Sequence, residues 1–187
     1  MSMPIPLRDS DRTKAAILHA AQVAFSTRGY GATGVRDITA AAGVNASLVS
    51  RYFGSKEKLF ESALSELLDA SVITNIEKSE FGRGLVALFA QSEQYRVNVL
   101  PMLVLAAGDP VSRAIADRQL RELVIKPLTV WFDRPNAEER AARVVLLASG
   151  FFLYRILYPL PAWEGDLAPA SRKWLERAFQ SVIDDAD

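Results

Sequence analysis

The stretch Val35 to Phe60, VRDITAAAGVNASLVSRYFGSKEKLF, decides the fold. It holds two short helical patterns on either side of a tight turn at Gly43-Val44-Asn45. Thr33 or Gly34 caps the first, and Asp37 lies in its early turns, where a carboxylate meets the positive end of the helix dipole. Ile38, Ala41 and Ala42 give that helix a narrow inner face of small residues. Gly43 supplies a turn that a side chain would resist. Val44 is placed to plug the gap between the helices. Asn45 is an N-cap for a short helix over Ala46–Phe53, which Val49 and Phe53, four apart, anchor inward. Gly54 stops that helix, and Ser55 caps another with Glu57 in its first turn.

Upstream, Ile17, Ala21, Ala24 and Phe25 fall at i, i+4, i+7 and i+8, one face of a helix. Arg28 and Gly29 close it, a cation near the last carbonyls and then a left-handed cap. Three helices, the last two joined by a glycine turn, make a helix-turn-helix. Asn45, Ala46, Ser47, Ser50, Arg51 and Tyr52 then surround the outer side and N-terminal end of the third helix. No interval here alternates as a strand does, so the fold class expected is all-α.

The chain has 187 residues, half of them hydrophobic, enough for a sizeable core. Cysteine is absent, which excludes disulfides, thiol nucleophiles and thiolate metal sites. A single histidine, His19, leaves little for zinc or imidazole catalysis, and it sits beside the apolar face of the first helix. No cofactor, metal or catalytic residue is expected, and no glycine loop for phosphate is present. The N-terminus lacks the apolar run of a signal peptide, and Val144 to Leu160 is interrupted by Arg155 and Pro159. A soluble, cytoplasmic protein without a membrane partner is expected. Net charge is zero, yet residues 1–60 hold 8 basic and 4 acidic side chains, or +4. The remaining 14 basic and 18 acidic groups make −4. A basic head on an acidic body suits a nucleic-acid-binding head, although surface charge also varies by chance.

The body reads as helices throughout. A long fourth helix is expected from Ser55 toward Lys78, with Leu59, Ala63, Leu67 and Ala70 on one side. Leu85, Leu88 and Phe89 mark the next, and Met102, Leu103 and Leu105 an apolar segment after Pro101. Asp109-Pro110 starts a helix that continues through Ile115 and Leu123, until Pro127 bends or ends it before Trp131. Asn136 caps a long helix reaching about Tyr158, which Pro159 and Pro161 break. Pro169 and Ser171 open the last helix, striped by Trp174, Leu175, Ala178, Phe179, Val182 and Ile183.

GVNASLVSRYFGSKEKLF resembles the signature of the TetR family of bacterial transcriptional repressors. Members typically read G-V-S-x-x-x-x-Y-x-Y-F-x-S-K-E-x-L after an opening similar to TGVRDIT, and the likeness covers about Thr13 to Phe60. It implies a homodimer with two helix-turn-helix heads and an all-helical core holding a small-molecule inducer pocket. The expected domains are thus a DNA-binding head over 1–54 and an effector-binding and dimerisation core over 55–187. Double-stranded operator DNA, a second copy and an unknown small effector are the implied partners.

By resemblance, Arg36 meets a phosphate or a guanine edge, while Ala46, Ser47 and Ser50 face bases. Tyr52 and Lys56 meet backbone phosphate, and Thr33, Asn45 and Arg51 complete the DNA-facing set. Gly34 stands where many members carry Ser or Thr, and Ser50 where many carry Tyr. The base-facing side chains are therefore small, and specificity leans on Arg36, Arg51 and DNA shape. Other readings exist: Arg36 as a solvated helix charge, Arg51 in an ion pair, Tyr52 as packing.

Phe81, Phe89, Tyr95, Met102, Trp131 and Phe152 are candidate pocket lining for a mainly apolar ligand, with plain core as the alternative. Arg155 inside the apolar run Phe151 to Leu157 pairs either with an acidic ligand or with a carboxylate at a seam. Leu147, Phe151 and Tyr154, with Trp174, Ala178, Phe179 and Val182, are the dimer candidates, and Ala148-Ser149-Gly150 permits close approach. A two-fold dimer sets its heads about one DNA turn apart, on a roughly palindromic operator. A ligand-responsive repressor is the first reading. The alternatives are a DNA-binding regulator run by a protein partner or by abundance, and an enzyme or accessory protein with a look-alike head.

Overall fold

A computed structural model of the protein describes residues 9–91, 99–163 and 165–185. Among the described residues there are eleven α-helices and no strand. Two compact units emerge, Met1–Leu67 with Val97–Asp117, and Leu68–Arg96 with Arg118–Asp187.

The first unit is built on α1 (Asp9–Arg28), α2 (Val35–Ala41), α3 (Ser47–Phe53), α4 (Lys56–Ser65) and α7 (Val99–Ala106). The expected face of α1 is fully covered: Ile17, Ala21 and Phe25 are buried, as are Leu59, Phe60 and Ala63 of α4. Phe60 stands edge-on to Phe25 at 5.1 Å and to Tyr30 at 5.4 Å, favourable aromatic geometry. Gln22 ties α1 to α4, its Nε2 donating to the Glu66 carboxylate at 2.6 Å and the Ala63 carbonyl at 3.3 Å. Gly29 ends α1 at φ 76°, and a Cβ there would lie 3.4 Å from Leu105 of α7. The expected boundary after Gly54 therefore falls inside this unit, because α4 and α7 bury apolar side chains with α1.

Several local expectations change. The fourth helix ends at Ser65 rather than near Lys78. The Ser62 and Ser65 hydroxyls turn back to the Lys58 and Glu61 carbonyls at 2.8 and 2.7 Å, a local competitor of the helix ladder. Asp69 then accepts from the Ser71 amide at 2.8 Å and starts the short α5 (Ser71–Thr74). Ala41 is exposed, and buried Thr39 takes its place on the inner face of α2. His19 is exposed as well.

The second unit contains α5, α6 (Phe81–Gln91), α9 (Lys126–Phe132), α10 (Ala137–Phe152) and α11 (Pro169–Asp184), while α8 (Pro110–Leu120) begins in the first. Gly82 brings α6 against α11: a Cβ there would stand 2.0 Å from the Glu176 carbonyl oxygen. Gln180 crosses the same contact, accepting from the Gly82 amide at 2.9 Å and donating to the Lys78 carbonyl at 3.1 Å. Pro127 does not end its helix. A π-helical turn over Arg121–Ile125 precedes it, and that wider spacing absorbs the amide the proline lacks.

Asn136 opens α10 in the left-handed region at φ 57°, without a side-chain cap. Arg140 is 1 % exposed and donates to the Val182 and Asp185 carbonyls, while Arg134 donates to that of Ile183 at 2.8 Å. Two guanidinium groups thus satisfy the carbonyls that the end of α11 leaves open. No described helix is long and apolar enough to cross a membrane.

Candidate nucleic-acid interface

The α2–α3 corner is held by backbone. Gly43 adopts φ 67°, and the Val44 amide donates back to the Thr39 carbonyl at 2.9 Å. Asn45 stands one residue ahead of the observed N-cap, Ala46, because α3 begins at Ser47; its Oδ1 accepts from the Ser47 amide at 2.9 Å and closes the turn into the helix. Val49 and Phe53 are buried at 1 % and 9 % exposure and fix which side of α3 faces inward. Ser47, Ser50 and Arg51, spaced i, i+3 and i+4, are exposed on the opposite side. Ala46 and Tyr52 are half-buried beside them. Arg36 is exposed in the first turn of α2. Its neighbour Asp37 accepts from the Gly34 amide at 3.0 Å and lies 3.8 Å from Arg28.

Thr33 corrects the expected DNA-facing set. It is 1 % exposed, and its hydroxyl donates inward to the Gly29 carbonyl at 2.7 Å and to that of Ala24 at 3.3 Å. Its side chain locks the α1–α2 connector and presents no surface to a ligand. The connector residue Tyr30 escaped the sequence reading; its signal was an aromatic between two glycines in RGYGAT. Its ring underlies the Lys56 ammonium at 4.0 Å, at the start of α4, where Ser55 Oγ accepts from the Lys58 amide at 3.2 Å.

Residues 17–63 match the family of bacterial regulatory proteins described as the tetR family. Residues 79–183 match the tetracyclin repressor-like C-terminal domain. The chain belongs to the TetR family. TetR-family members are transcriptional regulators rather than enzymes, and this chain is a DNA-binding regulator of that kind. An HTH-type transcriptional repressor of Mycobacterium tuberculosis is 46% identical over 57 residues, 30% of this chain and 30% of that protein. The likeness thus spans under a third of the curated relative. A TetR-family regulator of Streptomyces coelicolor superposes with TM-score 0.58 at 25% identity, covering 97% of this chain and 100% of its own. The multidrug-binding protein EbrR, complexed with ethidium, shares the fold at TM-score 0.65 and 16% identity, over 91% and 98% of the two chains.

Against this TetR frame the expected effector lining is redistributed. Phe89 is buried among Phe151, Phe152 and Phe179, at ring distances of 5.7, 4.7 and 5.6 Å. Phe81 packs on Trp131 at 5.2 Å. Met102 is fully buried in the first unit, and Tyr95 lies outside the described residues. Arg155 spends its guanidinium on the Trp163 and Gly165 carbonyls, at 2.9 and 2.7 Å, pinning the chain after a π-helical turn over Leu153–Leu157. Two of its donors thus go to backbone carbonyls of the following turn.

The expected dimer set also divides. Phe179 and Val182 are 0 % and 4 % exposed and bury within their own unit, which removes them as interface residues. Trp174 and Tyr154 are half exposed, with Leu146 and Leu160 beside them. A groove of about 230 Å³ runs among Leu146, Leu147, Phe151, Tyr154, Trp163 and Trp174. None of the expected effector residues lines it.

Proposed function

We propose that this chain represses transcription as a homodimer on a two-fold operator and leaves it when a small apolar ligand binds. The exposed row of Ser47, Ser50 and Arg51, set outward by buried Val49 and Phe53, carries the DNA reading. Arg36 and Arg51 reach base edges, Ala46, Ser47 and Ser50 pack close to them, and Asn45, Tyr52 and Lys56 meet phosphates. The repressor name of the mycobacterial relative supports the direction of control. The exposed apolar strip of Leu146, Tyr154, Leu160 and Trp174, with half-buried Leu147 between them, is where the second copy docks, since an exposed apolar patch marks an interaction site.

The ligand enters between Phe89, Trp131 and Phe152, of which Trp131 and Phe152 are half-buried. The ethidium complex of EbrR, which shares the fold, supports a flat aromatic ligand. One observation favours a second reading, a regulator without a small effector, controlled by a protein partner or by abundance. The rings of the aromatic cluster already fill one another's contact shells.

Selection of binding sites from random duplex DNA tests the first part. The wild type should enrich two half-sites roughly one helical turn apart. Arg36→Ala should relax that choice while the mass of the oligomer stays unchanged, and identical selected sites would remove Arg36 from readout. Thermal melting without DNA, in ethidium and in a panel of aromatic metabolites, tests the second part. A raised midpoint supports the ligand reading; a flat response throughout supports the alternative.

A further inference from the structure

Tyr30 stands in the α1–α2 connector, 7 % exposed, its ring packed on Phe25 at 5.9 Å and on Phe60 at 5.4 Å. The Lys56 ammonium rests over that ring, 4.0 Å from its centroid, at a distance where a cation and an aromatic face attract strongly. Burial and the neighbouring carboxylates of Glu57 and Asp109 push the Tyr30 phenol up to about 12. Glu57 lies below the usual carboxylate range, held by hydrogen bonds from Ser55, its own amide and Tyr30.

We propose that Tyr30 is a positioning residue for DNA binding: its ring fixes the Lys56 ammonium at the start of α4, where the lysine meets a phosphate. This rests on the reading of Lys56 as a phosphate contact. Phe25 and Phe60 clamp the ring from within, which holds it beneath the lysine.

The test is binding of the full chain to a random-sequence duplex across a salt series. Lys56→Gln should lower the salt slope by ~0.9 per lysine. An unchanged slope in that variant alone sinks the phosphate reading and the proposal with it. With the slope lowered, Tyr30 is judged by non-additivity. Tyr30→Phe keeps the ring and should bind as the wild type does, whereas Tyr30→Leu should bind several-fold more weakly and yet leave Lys56→Gln unaffected. Equal effects of Tyr30→Leu in both backgrounds overturn the proposal. Should Tyr30→Leu not fold, the ring contact is read in the wild type by NMR: the Lys56 methylene protons next to the ammonium should carry an upfield ring-current shift, and ordinary shifts there overturn the proposal.

Discussion

Gly82→Ala is the most exacting probe of the second unit. The new methyl carbon would stand 2.0 Å from the Glu176 carbonyl oxygen, 2.9 Å from its carbon and 3.0 Å from Gln180 Cβ. Ordinary carbon contacts lie near ~3.5 Å, so α6 and α11 must part by about 1.5 Å. The obstacle is helix backbone, which has no rotamer to change. Overpacking of this kind costs ~1–3 kcal/mol, occasionally more. Parting the helices also stretches the bond from the Gly82 amide to Gln180, worth ~1 kcal/mol. Alanine's better helix propensity returns about 1 kcal/mol. At 2.0 Å against backbone the upper end of that range applies, so the net is a loss of about 3 kcal/mol, or ~6–12 °C in a chain of this size. Thermal and urea unfolding of the variant beside the wild type measure it. Gly150→Ala is the control: a Cβ there meets nothing within 4 Å, so a single copy should gain up to ~1 kcal/mol. A Gly82→Ala midpoint within 2–3 °C of wild type, roughly 1 kcal/mol or less, would refute the close α6–α11 approach.

Other outcomes follow from single side chains. Trp174→Glu places a charge on the exposed apolar strip and should halve the mass in solution while leaving the helical content unchanged; a wild-type mass by light scattering would count against docking there. Asp109 Oδ1 accepts from the Val111 and Ser112 amides at 3.0 Å each, so Asp109→Ala should cost ~1 kcal/mol, and a change of only a few tenths would show that the cap is idle. Tyr30 is raised from 10.0 to about 12, which favours its neutral form in the folded state. Its stabilising effect is complete below pH 10 and is lost as pH rises toward 12. Tyr30→Phe has no such proton to lose and should decline less steeply across that window; parallel stability curves would contradict the assignment.

The head was legible because its signals are local. Gly29, Gly43 and Gly54 all take positive φ where the sequence places turns, and Ser55 and Asp109 cap as their types suggest. Each of these depends on a few neighbouring backbone groups, which the sequence states directly. The body was less legible. Phe89, Phe179 and Val182 sit on apolar stripes that periodicity marks correctly, yet a stripe does not say what covers it. Thr33 and Arg155 carry polar groups that suggest outward chemistry. Both instead satisfy carbonyls of their own unit, at Gly29 and Ala24 and at Trp163 and Gly165.

Sequence by itself thus determined the helices, the glycine turn of VRDITAAAGVNASLVSRYF, and which residues of α3 point outward. A 3.6-residue period and short-range caps suffice for that. Tertiary structure decided the partners. It put Tyr30 beneath Lys56, closed Gly82 onto α11, and turned Arg140 into the cap of a helix 42 residues away. These contacts join segments distant along the chain, and their energies depend on distances that only the packed fold sets.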